Sequence, residues 1–200
     1  MTVGRKGTIS GLLTVVLLVA CGPSKVPSKP NFKTAIDQAL LGRCAIVDPA
    51  RDFLSVGGYP QALSVGDMKS SMAAPYEALV KVGVLSSHDV HGSKNTEPGR
   101  IYSLTELGAR SLTDRGVTSF CAAHYQVDEV TEYTKPGASP LGAGQVFTVQ
   151  YLYGPARVAS WARSSAVDAA FPDLANALAP RQQGRAYLML TNRGWKADLQ

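Results

Sequence analysis

Two histidines and an aspartate lie close together in the chain and carry the nitrogen and oxygen atoms that bind zinc. They are His88, Asp89 and His91, and a further histidine, His124, follows later in the chain. A zinc site needs at least three ligands held in a fixed geometry. Serines and glycines flank this cluster, which is typical of a solvated loop and not of a rigid ligand frame. The pattern therefore favours a polar loop over a metal site, and we expect no cofactor.

Three acidic residues in a later segment have the chemistry of a general acid and base. Asp128 and Glu132 would share one face of a strand, whereas Glu129 would point to the other face. Carboxylates do acid–base work where burial or a neighbouring charge shifts the pKa. No sequence feature around them indicates burial, so an exposed strand edge is the simpler interpretation. With His124 they are the candidates for an alternative function, an enzyme or binding protein acting on cell wall or saccharide.

Sequence motifs of common catalytic and nucleotide-binding sites are absent. The chain contains no G-x-S-x-G, no H-E-x-x-H and no phosphate-binding loop. A different possibility is a ligand groove formed by aromatic residues, although aromatic side chains more often belong to a hydrophobic core. The four aromatic candidates are Tyr151, Tyr153, Trp161 and Trp195.

The composition is that of a folded, weakly basic protein. Apolar residues make up 45% of the 200 residues and charged residues 18%, so the chain can bury a core and is not a disordered polyelectrolyte. The formal net charge is +5. The basic residues are spread along the chain, and no run of them reaches the density of a nucleic-acid-binding patch. We therefore expect no nucleic-acid partner.

Residues 1–20 have the layout of a secretory signal peptide. Arg5 and Lys6 give a positive start, and a mostly apolar stretch then runs from Ile9 to Ala20. As a helix this stretch would be about 18 Å long, which is too short for a bilayer core of roughly 30 Å. The segment therefore favours a cleaved signal over a simple membrane-spanning anchor.

The end of this signal, Leu18-Val19-Ala20-Cys21, resembles the lipobox of bacterial lipoproteins. The resemblance implies diacylglycerol on the Cys21 thiol, cleavage before Cys21 and acylation of the new amino terminus. Two or more acyl chains anchor a protein stably where one would be marginal. Gly22 stands where an aspartate would retain an enterobacterial lipoprotein in the inner membrane, which favours an outer-membrane anchor facing the periplasm. An ordinary secretory signal with a chance cysteine is the alternative.

An expectation for the two other cysteines, Cys44 and Cys121, follows from the same resemblance. With Cys21 lipidated, they are the only thiols left in an oxidising compartment, which favours a disulfide between them. The chain-entropy treatment values such a bond at roughly 4–5 kcal/mol. Two separate buried thiols are the alternative.

A middle segment also has a family resemblance. The stretch EALVKVGVL, a polar loop over residues 86–100, and RIYSLTELGARSL are similar to the second half of a winged-helix domain, over residues 68–116. The resemblance implies a helix ending at Gly83, a strand with a wing, and a strand leading into a helix capped by Thr105. In DNA-binding members the helix matching residues 72–82 enters the major groove. Here Lys81 is the only basic residue of that helix, which argues against DNA binding.

Hydrophobic patterning and turn residues divide the remaining chain. We expect a fold of the α+β class, with a winged-helix-like part followed by a small antiparallel sheet with short helices. The predicted segments are a signal peptide (1–20), a lipidated Pro/Ser tether (21–31), a mainly helical winged-helix-like part (32–118) and an antiparallel β-rich part (119–200).

Within these segments the patterns place individual elements. A first helix is predicted over 32–41, a strand over Cys44–Val47 and irregular chain over 50–66. The predicted elements of the last part are strands over 127–134, 146–153 and 185–191, a loop over 135–144, short helices over 158–162 and 165–171, and a tight turn over 192–194.

The function these features favour is that of a non-catalytic, lipid-anchored envelope lipoprotein. Its body would bind a periplasmic protein partner, in an accessory, assembly or immunity-type role. The anchor, the tether and the missing catalytic motifs motivate this expectation.

Overall fold

A computed structural model describes residues 25–50, 57–93, 97–113, 117–134, 137–138 and 145–200. The predicted signal peptide, Cys21 and most of the 135–144 loop lie outside the described residues. The described chain is a mixed α+β structure with a curled antiparallel sheet, a small second sheet and short helices. This confirms the α+β class predicted from the sequence.

The larger sheet forms the framework of the molecule. Its path runs β1–β5–β7–β8–β9, with a short strand β6 paired to β7, and all neighbours are antiparallel. The strands are β1 (Cys44–Val47), β5 (Phe120–Tyr133), β6 (Gly137–Ala138), β7 (Gln145–Val158), β8 (Gln182–Thr191) and β9 (Gly194–Leu199).

The smaller sheet comes from the middle of the chain and has the strand order β2–β4–β3. Its helices follow the local signals: the helix that leads to Gly83 is capped at Val82, and Gly83 adopts a φ of 76°, a conformation that favours glycine. The elements are β2 (Gln61–Ser64), α2 (Val65–Met68), α3 (Ala73–Lys81), β3 (Leu85–Val90), β4 (Gly99–Leu104) and α4 (Glu106–Ser111).

The first helix, α1 (Lys29–Leu40), packs on the larger sheet. It starts earlier than the predicted residue 32, because the Ser28 side chain caps it by accepting from the Asn31 backbone N–H and a proline occupies its first turn. Two of its polar residues also bind strand β5. Asp37 Oδ1 accepts from the Val127 backbone N–H at 2.7 Å, and Lys33 donates to the Val127 carbonyl.

Two hydrophobic clusters stabilise the described chain. One lies between α1 and strands β5, β7, β8 and β9 and includes Phe32 and Ile36. The other joins the small sheet and α3 to strands β1 and β5 and to three short helices, and it includes Tyr76 and Phe120. The short helices are a 3₁₀ helix (Ser160–Arg163), α5 (Ser165–Ala170) and α6 (Asp173–Ala177). In the part of the chain that the structure describes, no helix combines the length and apolar character needed to cross a bilayer.

Several element predictions were wrong in extent. Strand β5 begins at Phe120 and not at residue 127, and β7 continues to Val158, where a short helix over 158–162 was predicted. The predicted polar loop 86–100 is in part strand, since β3 continues to Val90 and pairs with β4. Its sequence shows no apolar alternation because only Leu85 of this edge strand is buried. The predicted irregular stretch 50–66 contains β2, and the stretch 32–118, expected to be mainly helical, holds strands β1–β4 beside helices α1–α4.

Candidate functional site

A cleft of about 210 Å³ opens where helix α1 ends above the larger sheet. Three tyrosines from β5 and β7 give it an aromatic lining, and Leu40 at the end of α1 borders it. We call it the tyrosine cleft. Its remaining lining residues are Arg43, Cys44, Gln183, Gly184 and Gln200, and its tyrosines are Tyr125, Tyr151 and Tyr153.

The tyrosine rings pack against one another. The ring centroids of Tyr125 and Tyr153 are 5.4 Å apart in an edge-to-face arrangement, and those of Tyr151 and Tyr153 are 5.7 Å apart. Tyr151 lies opposite Gly184 in the β7–β8 register. A Cβ atom on Gly184 would lie only 2.4 Å from the ring of Tyr151, so the absence of a side chain there is what lets this ring lie flat on β8.

Two phenols of the tyrosine cleft, those of Tyr125 and Tyr151, have a raised pKa. Burial raises the pKa of Tyr151 and, with the neighbouring Tyr153, that of Tyr125. The Tyr125 hydroxyl donates to the Ala177 carbonyl at 3.0 Å. Among the described residues the hydroxyls of Tyr151 and Tyr153 have no hydrogen-bond partner, although Tyr151 is only 4% exposed. Two phenol donors are therefore free to bind a ligand.

Arg43 gives the tyrosine cleft its positive charge. Its guanidinium makes one long hydrogen bond, 3.4 Å to the Leu199 carbonyl. It forms no ion pair with any residue that the structure describes. None of the described residues that line the cleft is an aspartate or a glutamate. The cleft is thus a site of hydrogen-bond donors with a cation at its border.

One thiol lines this cleft and a second lies near it. Cys44 opens β1 and lines the cleft, and Cys121 lies diagonally across on β5, because the register pairs Cys44 with His124 and Cys121 with Ile46. Burial, and then the hydrogen bond with Cys44, raises the pKa of Cys121 to about 12. A thiol with so high a pKa is a poor nucleophile at neutral pH, which does not suit covalent catalysis.

Both cysteines are free thiols in the structure. Diagonal neighbours in an antiparallel pair have Cα atoms roughly 7–8 Å apart, beyond the 4.4–6.8 Å or so that a disulfide usually spans. A bond between Cys44 and Cys121 would therefore need β1 and β5 to shift locally, at the irregularity between Ala45 and Ile46. The disulfide stays a prediction.

Alkylation of the natively exported protein checks that prediction. We expect no reactive thiol before reduction and two after it, because the two side chains are neighbours and an oxidising compartment favours the bond. The variant Cys121→Ser should expose one reactive thiol at Cys44, which serves as the control for access of the reagent. Two reactive thiols in the unreduced protein would show that the cysteines are only neighbours.

The acidic candidates are not brought together. His124, Asp128 and Glu132 follow one another along β5, and four residues of strand span about 13 Å. Irregularities in the register between 127 and 129 and between 130 and 132 interrupt the simple alternation from which a shared face was predicted. Glu129 lies 4.0 Å from Arg181 in an exposed ion pair.

The histidine cluster near residue 88 lies on the small sheet. His88 and Asp89 belong to β3, and Arg100 binds Asp89 at 2.7 Å and Glu77 of α3 at 2.8 Å. The hydrogen bond and charge of Arg100 hold the pKa of Asp89 below its usual range. Within the described ranges no group of three metal-ligating side chains has a metal-binding arrangement. Asp89 is therefore paired with Arg100, which joins the small sheet to helix α3 through Glu77.

A larger cavity of about 730 Å³ lies beside β1, bordered by α3, α5 and α6. Its walls are mostly apolar, and its carboxylate at Asp48 accepts from the Ala50 backbone N–H and from the hydroxyls of Thr118 and Ser119, at 3.0–3.2 Å. These bonds tie the end of β1 to the start of β5. Asp48 is therefore occupied in holding the fold together, unlike the free donors of the tyrosine cleft.

The four aromatic candidates separate in the structure. Tyr151 and Tyr153 line the tyrosine cleft, Trp161 is buried among the short helices, and Trp195 packs against Phe32 and Phe147. Sequence reasoning missed Arg43, Tyr125 and Gly184. Their only sequence signal is proximity to Cys44 and to the β-prone runs, and the strand register that unites them is not visible in the sequence.

No protein family, curated protein or solved structure was found to match this chain.

Proposed function

We propose that the protein is a lipid-anchored envelope lipoprotein whose body binds a periplasmic protein partner without catalysis. We assign the anchor to the outer membrane because Gly22, and not an aspartate, follows Cys21. The observation that carries the binding role is the tyrosine cleft of about 210 Å³, which is lined by the phenols of Tyr151 and Tyr153 and by Arg43, an arginine with no ion pair among the described residues. Tyrosine and arginine are the residue types that contribute most to protein–protein binding energy.

The position of the tyrosine cleft suits a tethered protein. The chain enters the body at Lys29, at the start of α1, and the cleft borders Leu40, at its end. The helix has 12 residues and so separates the two points by about 18 Å. A lipid anchor on Cys21 would hold the start of α1 toward the membrane and leave the cleft toward soluble partners.

The arrangement of titratable groups supports a non-catalytic role over the alternative of an enzyme acting on cell wall or saccharide. The three candidate acid–base residues are spread along one strand, and the pKa of the Cys121 thiol is raised by burial. The tyrosine cleft contains no described carboxylate that could act as a general acid or base.

A winged-helix-like character of residues 68–116 is part of the proposal. The element order β2–α2–α3–β3–β4, with β2 beside β4, supports it. In α3 the single basic residue, Lys81, follows Glu77, whose carboxylate binds Arg100. This helix therefore presents little positive charge, and we propose a structural role for the segment and not nucleic-acid binding.

Site-specific photocrosslinking in intact envelopes tests the binding role. A photoreactive residue in place of Tyr153, which lines the tyrosine cleft, should give a discrete crosslinked adduct with a protein partner. The control position is Tyr187, which is 38% exposed and lies between two buried residues of β8, so it points to the opposite face. Equal adducts at both positions, or none at 153, would contradict the proposal.

A further inference from the structure

We propose that the tyrosine cleft receives a carboxylate of the protein partner, carried on an acidic side chain or at a chain terminus. This inference rests on the proposed function and specifies what its site recognises. Three features of the cleft support it, namely its charge, the Tyr151 hydroxyl that has no partner among the described residues, and its volume.

The charge of the cleft selects an anion. Arg43 borders it and has no ion pair among the described residues, and the described lining holds no acidic side chain. A carboxylate accepts hydrogen bonds and matches the fork of an arginine. The single long bond from Arg43 to the Leu199 carbonyl leaves its other N–H groups available.

The hydroxyl of Tyr151 is a hydrogen-bond donor that a bound ligand could use. Tyr151 is only 4% exposed, it lines the cleft, and its hydroxyl has no hydrogen-bond partner among the described residues. Because burial raises the pKa of this phenol, it donates and does not compete as an anion. Tyr153 supplies a second phenol beside it. An acceptor bound between them and Arg43 would satisfy all three.

The small volume of the tyrosine cleft favours a single chemical group carried by a larger partner. At about 210 Å³ the cleft is smaller than the 300 Å³ or so at which sites for free small molecules begin. It can hold one side chain or one chain terminus, and the aromatic walls would cover the aliphatic part of that group. A carboxylate delivered by a protein surface fits this size, since the rest of the binding energy would come from contacts outside the cleft.

Titration of the purified full-length chain with matched probes tests the inference. The probes are acetylated trialanine and an acetylated, amide-capped glutamate, each compared with the neutral amide that lacks its carboxylate. Ring resonances of isotopically labelled tyrosine report binding. We expect at least one carboxylate probe to shift the ring resonances of the cleft tyrosines, with its amide bound about tenfold more weakly.

Three variants show whether the cleft is responsible. Arg43→Gln should remove the preference for the carboxylate, and Tyr151→Phe should weaken binding about tenfold while leaving the fold intact, because the lost hydroxyl has no described partner. Arg193→Gln removes the same charge from the distant β8–β9 turn and should change nothing.

Equal binding of acid and amide would overturn the inference, as would no shift with any probe at about 10 mM or the same loss in Arg193→Gln. D-glucuronate, with D-glucose as its neutral control, tests the other source of a carboxylate, and binding of glucuronate alone would overturn the assignment to a polypeptide. A specific crosslink at position 153 combined with failure of these titrations would remove this inference and leave the proposed function standing.

Discussion

The substitution Cys21→Ser should remove the protein almost completely from the membrane fraction. If the proposed lipobox is correct, the Cys21 thiol is the atom that accepts diacylglycerol, and both cleavage and acylation of the new amino terminus depend on that step. Each buried CH₂ of an acyl chain contributes about 0.8 kcal/mol to membrane binding, so loss of all chains removes the anchor. Incorporation of labelled fatty acid and fractionation of cell envelopes measure the effect.

The matched control for this substitution is Cys44→Ser. It makes the same chemical change at a cysteine on strand β1, outside the signal, and should keep both the label and the membrane location. Labelling of Cys21→Ser would contradict the lipobox interpretation. So would a wild-type protein that never takes up fatty acid.

Local signals were sufficient for several elements. Gly83 was predicted to end a helix, and α3 is capped at the residue before it. Thr105 was predicted to cap a helix, and its side chain accepts from the Gly108 backbone N–H at 3.0 Å. The tight turn over 192–194 joins β8 to β9 as predicted. In each case the information lies within a few neighbouring residues, where the physical cause also acts.

Contacts between distant residues account for what the sequence did not reveal. The position of α1 depends on a sheet whose strands lie about a hundred residues later, and the Asp37 carboxylate meets a backbone N–H of β5 that no local pattern indicates. The tyrosine cleft needs the β7–β8 register that sets Tyr151 over Gly184. A single register shift would move these side chains to the other face. Composition and spacing therefore identified Tyr151 and Tyr153 as candidates but not the site.

The substitution Phe32→Ala should cost about 3–5 kcal/mol of the free energy of unfolding, a large part of the 5–15 kcal/mol or so typical of a domain. Phe32 is completely buried and joins α1 to three strands of the larger sheet. Its ring lies 5.0 Å from that of Tyr133, 5.3 Å from Phe147 and 4.9 Å from Trp195. Alanine would leave a cavity among these aromatic rings, which the rigid strands cannot close.

Urea unfolding of the full chain measures this effect, and Leu41→Ala is the matched control. Leu41 follows α1 directly and is 65% exposed, so its truncation should change the free energy of unfolding by no more than about 0.5 kcal/mol. A loss in Phe32→Ala as small as that in Leu41→Ala would show that α1 is not held by this core. Because α1 connects the tether to the tyrosine cleft, the proposed orientation of the cleft away from the membrane would then lose its support.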